Sequence, residues 1–250
     1  MILPNELWYN VFSFLNQKSQ SKFSGLWNLY NLNIKEIRLI YHSNNLWFDT
    51  AKNEYIKLMK LLINAGADIN KQDNDGMTAL HWASKYGYKE CVELLIKTGG
   101  IDLNKQDING KIALHTASIN SYKDCIELLI NAGADLNKQD NGGNTALHWA
   151  ICFYNKECVE LLIKAGTDLS IQDNSGMTAS HIASKFGHKE CVELLINTGV
   201  NVNKQDSYGM TALHWANYYY NKECVELLIK AGADLSIKDN NGKVCVRILD

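Results

Sequence analysis

One short motif returns at a fixed interval and leaves few options for the rest of the chain. TALHWA occurs at Thr78, Thr145 and Thr211, with the variants IALHTA at Ile112 and TASHIA at Thr178. His81, His115, His148, His181 and His214 lie 34, 33, 33 and 33 residues apart, and Cys91, Cys125, Cys158, Cys191 and Cys224 keep the same intervals. A period of this length marks a stack of short units that each touch only their neighbours. The one extra residue falls in TGGIDLN, between Gly99 and Asp102, where a loop absorbs it.

Each unit reads as two helices and a turn. Asp73-x-x-Gly76 makes the turn, Thr78 caps a helix running through Tyr86, and Gly87 ends it. In the following KECVELLIK, Cys91, Val92, Leu94, Leu95 and Ile96 cover one broad face, while Glu93 and Lys97 pair at i,i+4 on the other. Gly66, Gly99, Gly133, Gly166, Gly199 and Gly232 supply a left-handed turn after this helix. Two helices of about ten residues cannot enclose a core alone, so the units must stack into an all-α solenoid.

The pattern D-x-x-G-x-T-x-L-H-x-A, then V-x-L-L and G-A-D-x-N, resembles the ankyrin repeat. The register holds over residues 73–238, as five units at 73–106, 107–139, 140–172, 173–205 and 206–238. Ala79, Ala113, Ala146, Ala179 and Ala212 stand where that family usually has proline, which costs only the pre-organisation of the first turn. NEYIKLMKLLINAGADIN keeps the second helix without Thr-x-Leu-His, so residues 43–72 read as a degenerate first unit. Residues 239–250 begin a partial capping unit. The resemblance implies protein binding, and it places Asn70, Asn104, Asn137 and Asn203 where the family can be modified by asparaginyl hydroxylation.

Residues 1–42 carry no trace of the repeat. Leu7, Val11, Phe14 and Leu15 fall at helical spacing after Leu3-Pro4, and one reading is an amphipathic cap on the end of the stack. The other comes from LPNELWYNVFSFL, which resembles the opening of an F-box through Leu3, Pro4, Glu6, Leu7, Val11, Phe12 and Leu15. That resemblance implies that Leu3, Pro4, Leu7, Val11 and Leu15 contact the adaptor subunit of a cullin-RING ubiquitin ligase. The second half departs from the F-box pattern: KFSGLWNLYNL offers Phe23, Leu26 and Trp27, but the Val-Cys-Lys run is missing. An F-box joined to ankyrin repeats is similar to architectures in large DNA viruses and some eukaryotes.

Composition narrows the partners. With 46% hydrophobic and 21% charged residues the chain can bury a core. A net charge of -2 gives no field for a polyanion, so neither nucleic acid nor an anionic membrane is an expected partner. No window approaches eighteen apolar residues, and the start lacks the cationic residues of a secretory signal. An odd count of seven cysteines and the absence of any N-x-Ser/Thr acceptor favour a reducing compartment, the cytoplasm, or the host cytoplasm if the protein is viral. A monomer is expected.

Chemistry has little support. Equivalent positions on stacked helices lie roughly 8 to 10 Å apart, too far for one zinc or a disulfide. The ladder cysteines therefore read as small buried hydrophobes, with Cys152 the most reactive apart from Cys245, and the histidines as partners of backbone in adjacent turns. No P-loop, HExxH or G-x-S-x-G is present. The sequence points to no enzyme, cofactor or metal.

A binding surface can be located by counting from the histidine. Five residues on stand Tyr86, Asn120, Phe153, Phe186 and Tyr219. Met77, Met177 and Met210 follow the turn glycine, and Tyr208 precedes it. The ankyrin resemblance places these positions on the concave face, so Met77, Tyr86, Phe153, Met177, Phe186, Tyr208, Met210 and Tyr219 are expected to be exposed and to hold the target. The alternative is that each ring packs on its neighbour across the seam between repeats. Trp82, Trp149 and Trp215 are expected to serve stacking.

Overall fold

The computed structural model describes residues 46–245. The adaptor-contact positions Leu3, Pro4, Leu7, Val11 and Leu15 lie outside the described residues, as does the rest of 1–42. Among the described residues, twelve helices form six consecutive pairs: α1 Leu46–Lys52 and α2 Ile56–Asn64; α3 Ala79–Tyr86 and α4 Lys89–Thr98; α5 Ala113–Ile119 and α6 Lys123–Asn131; α7 Ala146–Cys152 and α8 Lys156–Lys164; α9 Ala179–Phe186 and α10 Lys189–Asn197; α11 Ala212–Tyr218 and α12 Lys222–Lys230. First helices pack on first helices and second on second along the whole series. The result is a two-layer all-α solenoid with one continuous core.

The local reasons are those of the repeat. Each alanine that replaces proline is the first residue of its helix. Thr78 precedes α3, and its hydroxyl lies 2.8 Å from His81 Nδ1 while its backbone N–H donates to that nitrogen at 3.1 Å. The other ring nitrogen, Nε2, then carries the proton and donates across the seam to Lys111 O at 2.9 Å. His115, His181 and His214 repeat the cross-seam bond to Asn144 O, Met210 O and Lys243 O. Four of the five repeat histidines thus tie helix start to neighbouring turn, as the sequence implied; His148 accepts the Thr145 N–H at Nδ1, but its buried Nε2 has no partner among the described residues.

The turns are built the same way. Asp73 Oδ1 accepts the Asp75 and Met77 N–H groups at 3.0 and 2.9 Å. Gly76 has φ 72°, and a Cβ there would sit 2.8 Å from Ile108 N of the next turn, so both conformation and close approach require glycine. That approach lets Ile108 N donate to Asp75 O, a link repeated up the stack to Asn240 N and Tyr208 O. Gln72, Gln106, Gln139, Gln172 and Gln205 each add a bond to the carbonyl of the following unit.

The degenerate first unit is a real helix pair. Trp47 and Phe48 fill, 33 residues upstream, the places of Leu80 and His81 and are buried. Glu54 takes a positive φ where α3 ends in Gly87. The extra residue of the TGGIDLN loop is accommodated by two consecutive left-handed glycines, Gly99 and Gly100. At the other end, Asp239 N donates to Lys243 O as in a further turn.

The five ladder cysteines are buried on the second helices and unpaired. Burial pushes the Cys91 thiol up to about 12 and those of Cys125, Cys158, Cys191 and Cys224 to about 11. One expectation needs correction: Cys245 is buried against the last repeat rather than exposed at a frayed end. Cys152 is half-buried where the other described cysteines are buried, and desolvation raises its thiol to about 11 as it does theirs.

Candidate target-binding surface

The first helices carry the candidate surface at their C-terminal ends. Tyr86 and Phe186 are the last residues of α3 and α9, while Phe153 and Tyr219 directly follow α7 and α11. All four rings are exposed, between 41 and 53%. Tyr208, at the turn tip, is exposed as well. Asn120 fills the fifth position, directly after α5, and its side chain donates to Thr116 O of that helix.

The rings rest on tryptophan, an arrangement neither sequence reading contained. Tyr86 stacks on Trp82 at 6.0 Å between centroids, Phe153 on Trp149 at 6.1 Å and Tyr219 on Trp215 at 6.0 Å. Each pair lies at i,i+4 within one repeat, where a helix brings side chains together, so these contacts do not cross the seam. The tryptophans are half-buried. Each Nε1 donates to a turn aspartate of its own repeat, Trp82 to Asp73, Trp149 to Asp140 and Trp215 to Asp206, at 2.8, 2.8 and 2.7 Å. One carboxylate therefore shapes the turn with Oδ1 and fixes the tryptophan with Oδ2. The signal was in the sequence as an Asp and Trp nine residues apart in the first, third and fifth repeats; Thr116 and Ile182 interrupt it in the second and fourth.

Lysines complete the platforms. Lys52 and Lys85 place Nζ 4.1 and 4.8 Å from the Trp82 ring, Lys111 reaches Trp149 at 4.9 Å, and Lys185 reaches Trp215 at 5.0 Å. These are cation–π distances, and they hold positive charge over each indole.

The methionines are a correction. Met77 and Met177 are buried, because each closes its turn by donating to the turn aspartate and then leads directly into the threonine cap. Met177 joins the continuous core. Met210 is half-buried. The exposed surface is therefore made by rings.

Counting at one position also missed neighbours. Tyr154, Tyr218 and Tyr220 are 50, 67 and 74% exposed. Tyr154 and Tyr220 adopt φ of 53° and 59°, where Gly87 and Gly187 stand in other repeats. A bulky residue in the left-handed region costs of order 1–3 kcal/mol. Tyr154 offsets part of this by donating to Glu190 Oε2 at 2.6 Å and stacking on His188 of the next repeat. The adjacent aromatic runs Phe153-Tyr154 and Tyr218-Tyr219-Tyr220 were the available signal.

Comparison with known proteins agrees with this architecture. The family model for ankyrin repeats in three copies matches residues 47–140, 100–173 and 147–239. The chain belongs to the ankyrin-repeat family. The ankyrin repeat domain of Bcl-3, a member of the IkappaB protein family, superposes with a TM-score of 0.74 at 27% identity, covering 80% of this chain and 92% of that one. Mouse SMC5-SMC6 complex localization factor protein 1 is 41% identical over 66 residues, 24% of this chain. Ankyrin repeat domain-containing protein SAT10 of Stachybotrys chartarum is 43% identical over 54 residues, 22% of this chain. The matched stretches make up only 6% and 3% of those two relatives. Among the described residues of this ankyrin-repeat protein no helix is long and apolar enough to cross a membrane, and no group of three His, Cys, Asp or Glu could hold a metal ion.

Proposed function

We propose that the ankyrin stack holds a target protein on its concave face and that residues 1–42 deliver that target to a cullin-RING ubiquitin ligase. The observation that supports the first half is the row of exposed rings at Tyr86, Phe153, Phe186 and Tyr219, three of them seated on tryptophans that the turn aspartates fix. Rigid, half-desolvated aromatic groups are the usual material of binding hot spots. Tyr208 and half-buried Met210 extend the row at the turn tips. The second half rests on the F-box-like residues of the N-terminal segment.

Two measurements test the reading. Partners captured by the full chain are identified by mass spectrometry, and the affinity of the captured target is then measured. Phe186→Ala with Tyr219→Ala weakens that affinity at least tenfold, about 1.4 kcal/mol, with little change in melting temperature. A destabilised fold with unchanged affinity would move the target elsewhere. For the N-terminal segment, calorimetry with the purified adaptor subunit shows binding that a Leu7→Ala, Val11→Ala variant loses, at a cost of about 2 kcal/mol or more. Absence of adaptor binding by the intact chain leaves residues 1–42 with the capping role alone.

A further inference from the structure

Five copies of one unit act as controls for each other, and the seam between the third and fourth departs from the rest around a single cavity. Ser180 stands where Leu80, Leu114, Leu147 and Leu213 fill the core. Asn201 stands where Asp68, Asp102, Asp135, Asp168 and Asp234 carry a charge. Ser170 replaces the asparagine present at Asn70, Asn104, Asn137 and Asn203, a change shared only by Ser236 in the last unit. All three line one partly open cavity of about 420 Å³, with Leu169, Val200 and Lys204.

These departures leave hydrogen-bond donors without acceptors. Elsewhere the asparagine Oδ1 of one loop accepts the aspartate N–H of the next, from Asp102, Asp135, Asp168 and Asp234, each at 2.8 Å. Ser170 is too short to reach, and its hydroxyl donates instead to Asp168 Oδ1 at 2.7 Å. The Asn201 N–H therefore has no acceptor among the described residues. Neither does the Val200 N–H. Its counterparts Ala67, Ala134, Thr167 and Ala233 donate to a leucine carbonyl of the preceding helix, but here Leu195 O is taken by the Thr198 hydroxyl at 2.6 Å. Ser180 is 7% exposed, and its hydroxyl also has no partner among the described residues.

We infer that this cavity binds a small carboxylate with a branched aliphatic tail, the tail occupying the space that leucine fills in the other repeats and the carboxylate meeting the Val200 and Asn201 N–H groups and Lys204. The recess is an isobutyl group short of its sister repeats and is bordered by Leu169 and Val200, so it has room for that tail beside the Ser180 hydroxyl. The head must be an acceptor, because the unused groups are donors and an anion takes charge-assisted bonds from them. Asn201 in place of aspartate removes the charge that would repel it. Asp168 also lines the cavity and keeps its negative charge, against the positive charge of Lys204, with Oδ1 bound by the Ser170 N–H and hydroxyl. Its second oxygen can accept from an α-ammonium, which brings leucine-like amino acids into the class. The volume lies within the range of small-ligand sites, about 300–1,000 Å³.

The test titrates the full chain with 4-methylpentanoate, L-leucine and 4-methylpentan-1-ol by calorimetry and thermal shift, with acetate matching the ionic strength. One or both carboxylates bind with a dissociation constant of about 1 mM or tighter and raise the melting temperature, while the alcohol binds at least tenfold more weakly. Preference for leucine assigns the ammonium to Asp168; preference for the simple acid assigns the site to free carboxylates. Ser180→Leu restores the repeat sequence, melts no lower than the parent, and loses at least tenfold in affinity. Asn201→Asp leaves the recess open and loses as much for the carboxylates, so the idea stays testable if the leucine variant misfolds. No saturation at ten times that concentration, equal binding of the alcohol, or undiminished binding in both variants would overturn it.

Discussion

Asp140→Ala is expected to lower the stability of the solenoid by about 3 kcal/mol, because one buried carboxylate serves two structures at once. Its Oδ1 accepts from the N–H groups of Gly142 and Asn144, both at 2.9 Å, and its Oδ2 accepts from Trp149 Nε1 at 2.8 Å. Lys111 Nζ stands 3.9 Å from the same Oδ2. Removing the acid strands the turn amides and the indole together, in a residue only 8% exposed. The equivalent change Asp107→Ala breaks the same turn bonds, from Asn109 and Lys111, but the second repeat has Thr116 where tryptophan would be. It should cost less by about 1–2 kcal/mol. Thermal melts followed by tryptophan fluorescence check both: a drop of roughly 6–12 °C for Asp140→Ala, and less for Asp107→Ala. Equal drops would show that the indole bond adds nothing.

Acid should unfold the protein over a narrow range beginning just below pH 6.5. Burial holds His81, His115, His148 and His181 below the ordinary histidine value, each because desolvation disfavours the imidazolium. In the unfolded chain these rings take a proton near pH 6.5. The folded state resists it, so stability is complete above that pH and is lost as the pH falls through the window down to the depressed folded values. Within that window each ring that titrates only in the unfolded chain removes about 1.4 kcal/mol per pH unit, and four together about 5.5 kcal/mol per pH unit. Urea midpoints between about pH 7.5 and pH 5 measure the slope. A midpoint independent of pH would mean that the folded rings protonate at Nδ1 as readily as the unfolded ones, so that losing the cap N–H bonds carries no net cost.

The fold was almost wholly legible, and the surface only in part. A cap, a first helical alanine and a left-handed glycine act within a few residues, so Thr78, Ala79 and Gly87 announce α3 from sequence alone. Histidine bonding across the seam followed from burial and the period together. The misread methionines show where that reasoning stops: whether Met77 faces solvent depends on the neighbouring turn packed beside it, a long-range fact its own flanking residues do not carry. The Trp82–Asp73 bond was hidden for another reason. Its partners are nine residues apart, outside the three- and four-residue spacings by which a helix is read. Tyr154 and Tyr220 were overlooked because a left-handed position is anticipated for glycine, and a tyrosine there looks like ordinary loop.

The seam between the units at 140–172 and 173–205 lacks the loop-to-loop asparagine bond that joins its neighbours, since Ser170 cannot reach Asn201. A stack with only nearest-neighbour coupling behaves as a row of linked switches, and it opens first where the coupling is weakest. The last two repeats should therefore detach and reclose as one block while the first three remain folded. In hydrogen exchange, amides of α9 to α12 would share a lower opening free energy than those of α3 to α8. The rings of Phe186, Tyr208 and Tyr219 ride on that block, so whatever grips them meets a hinged end of the solenoid rather than its rigid middle.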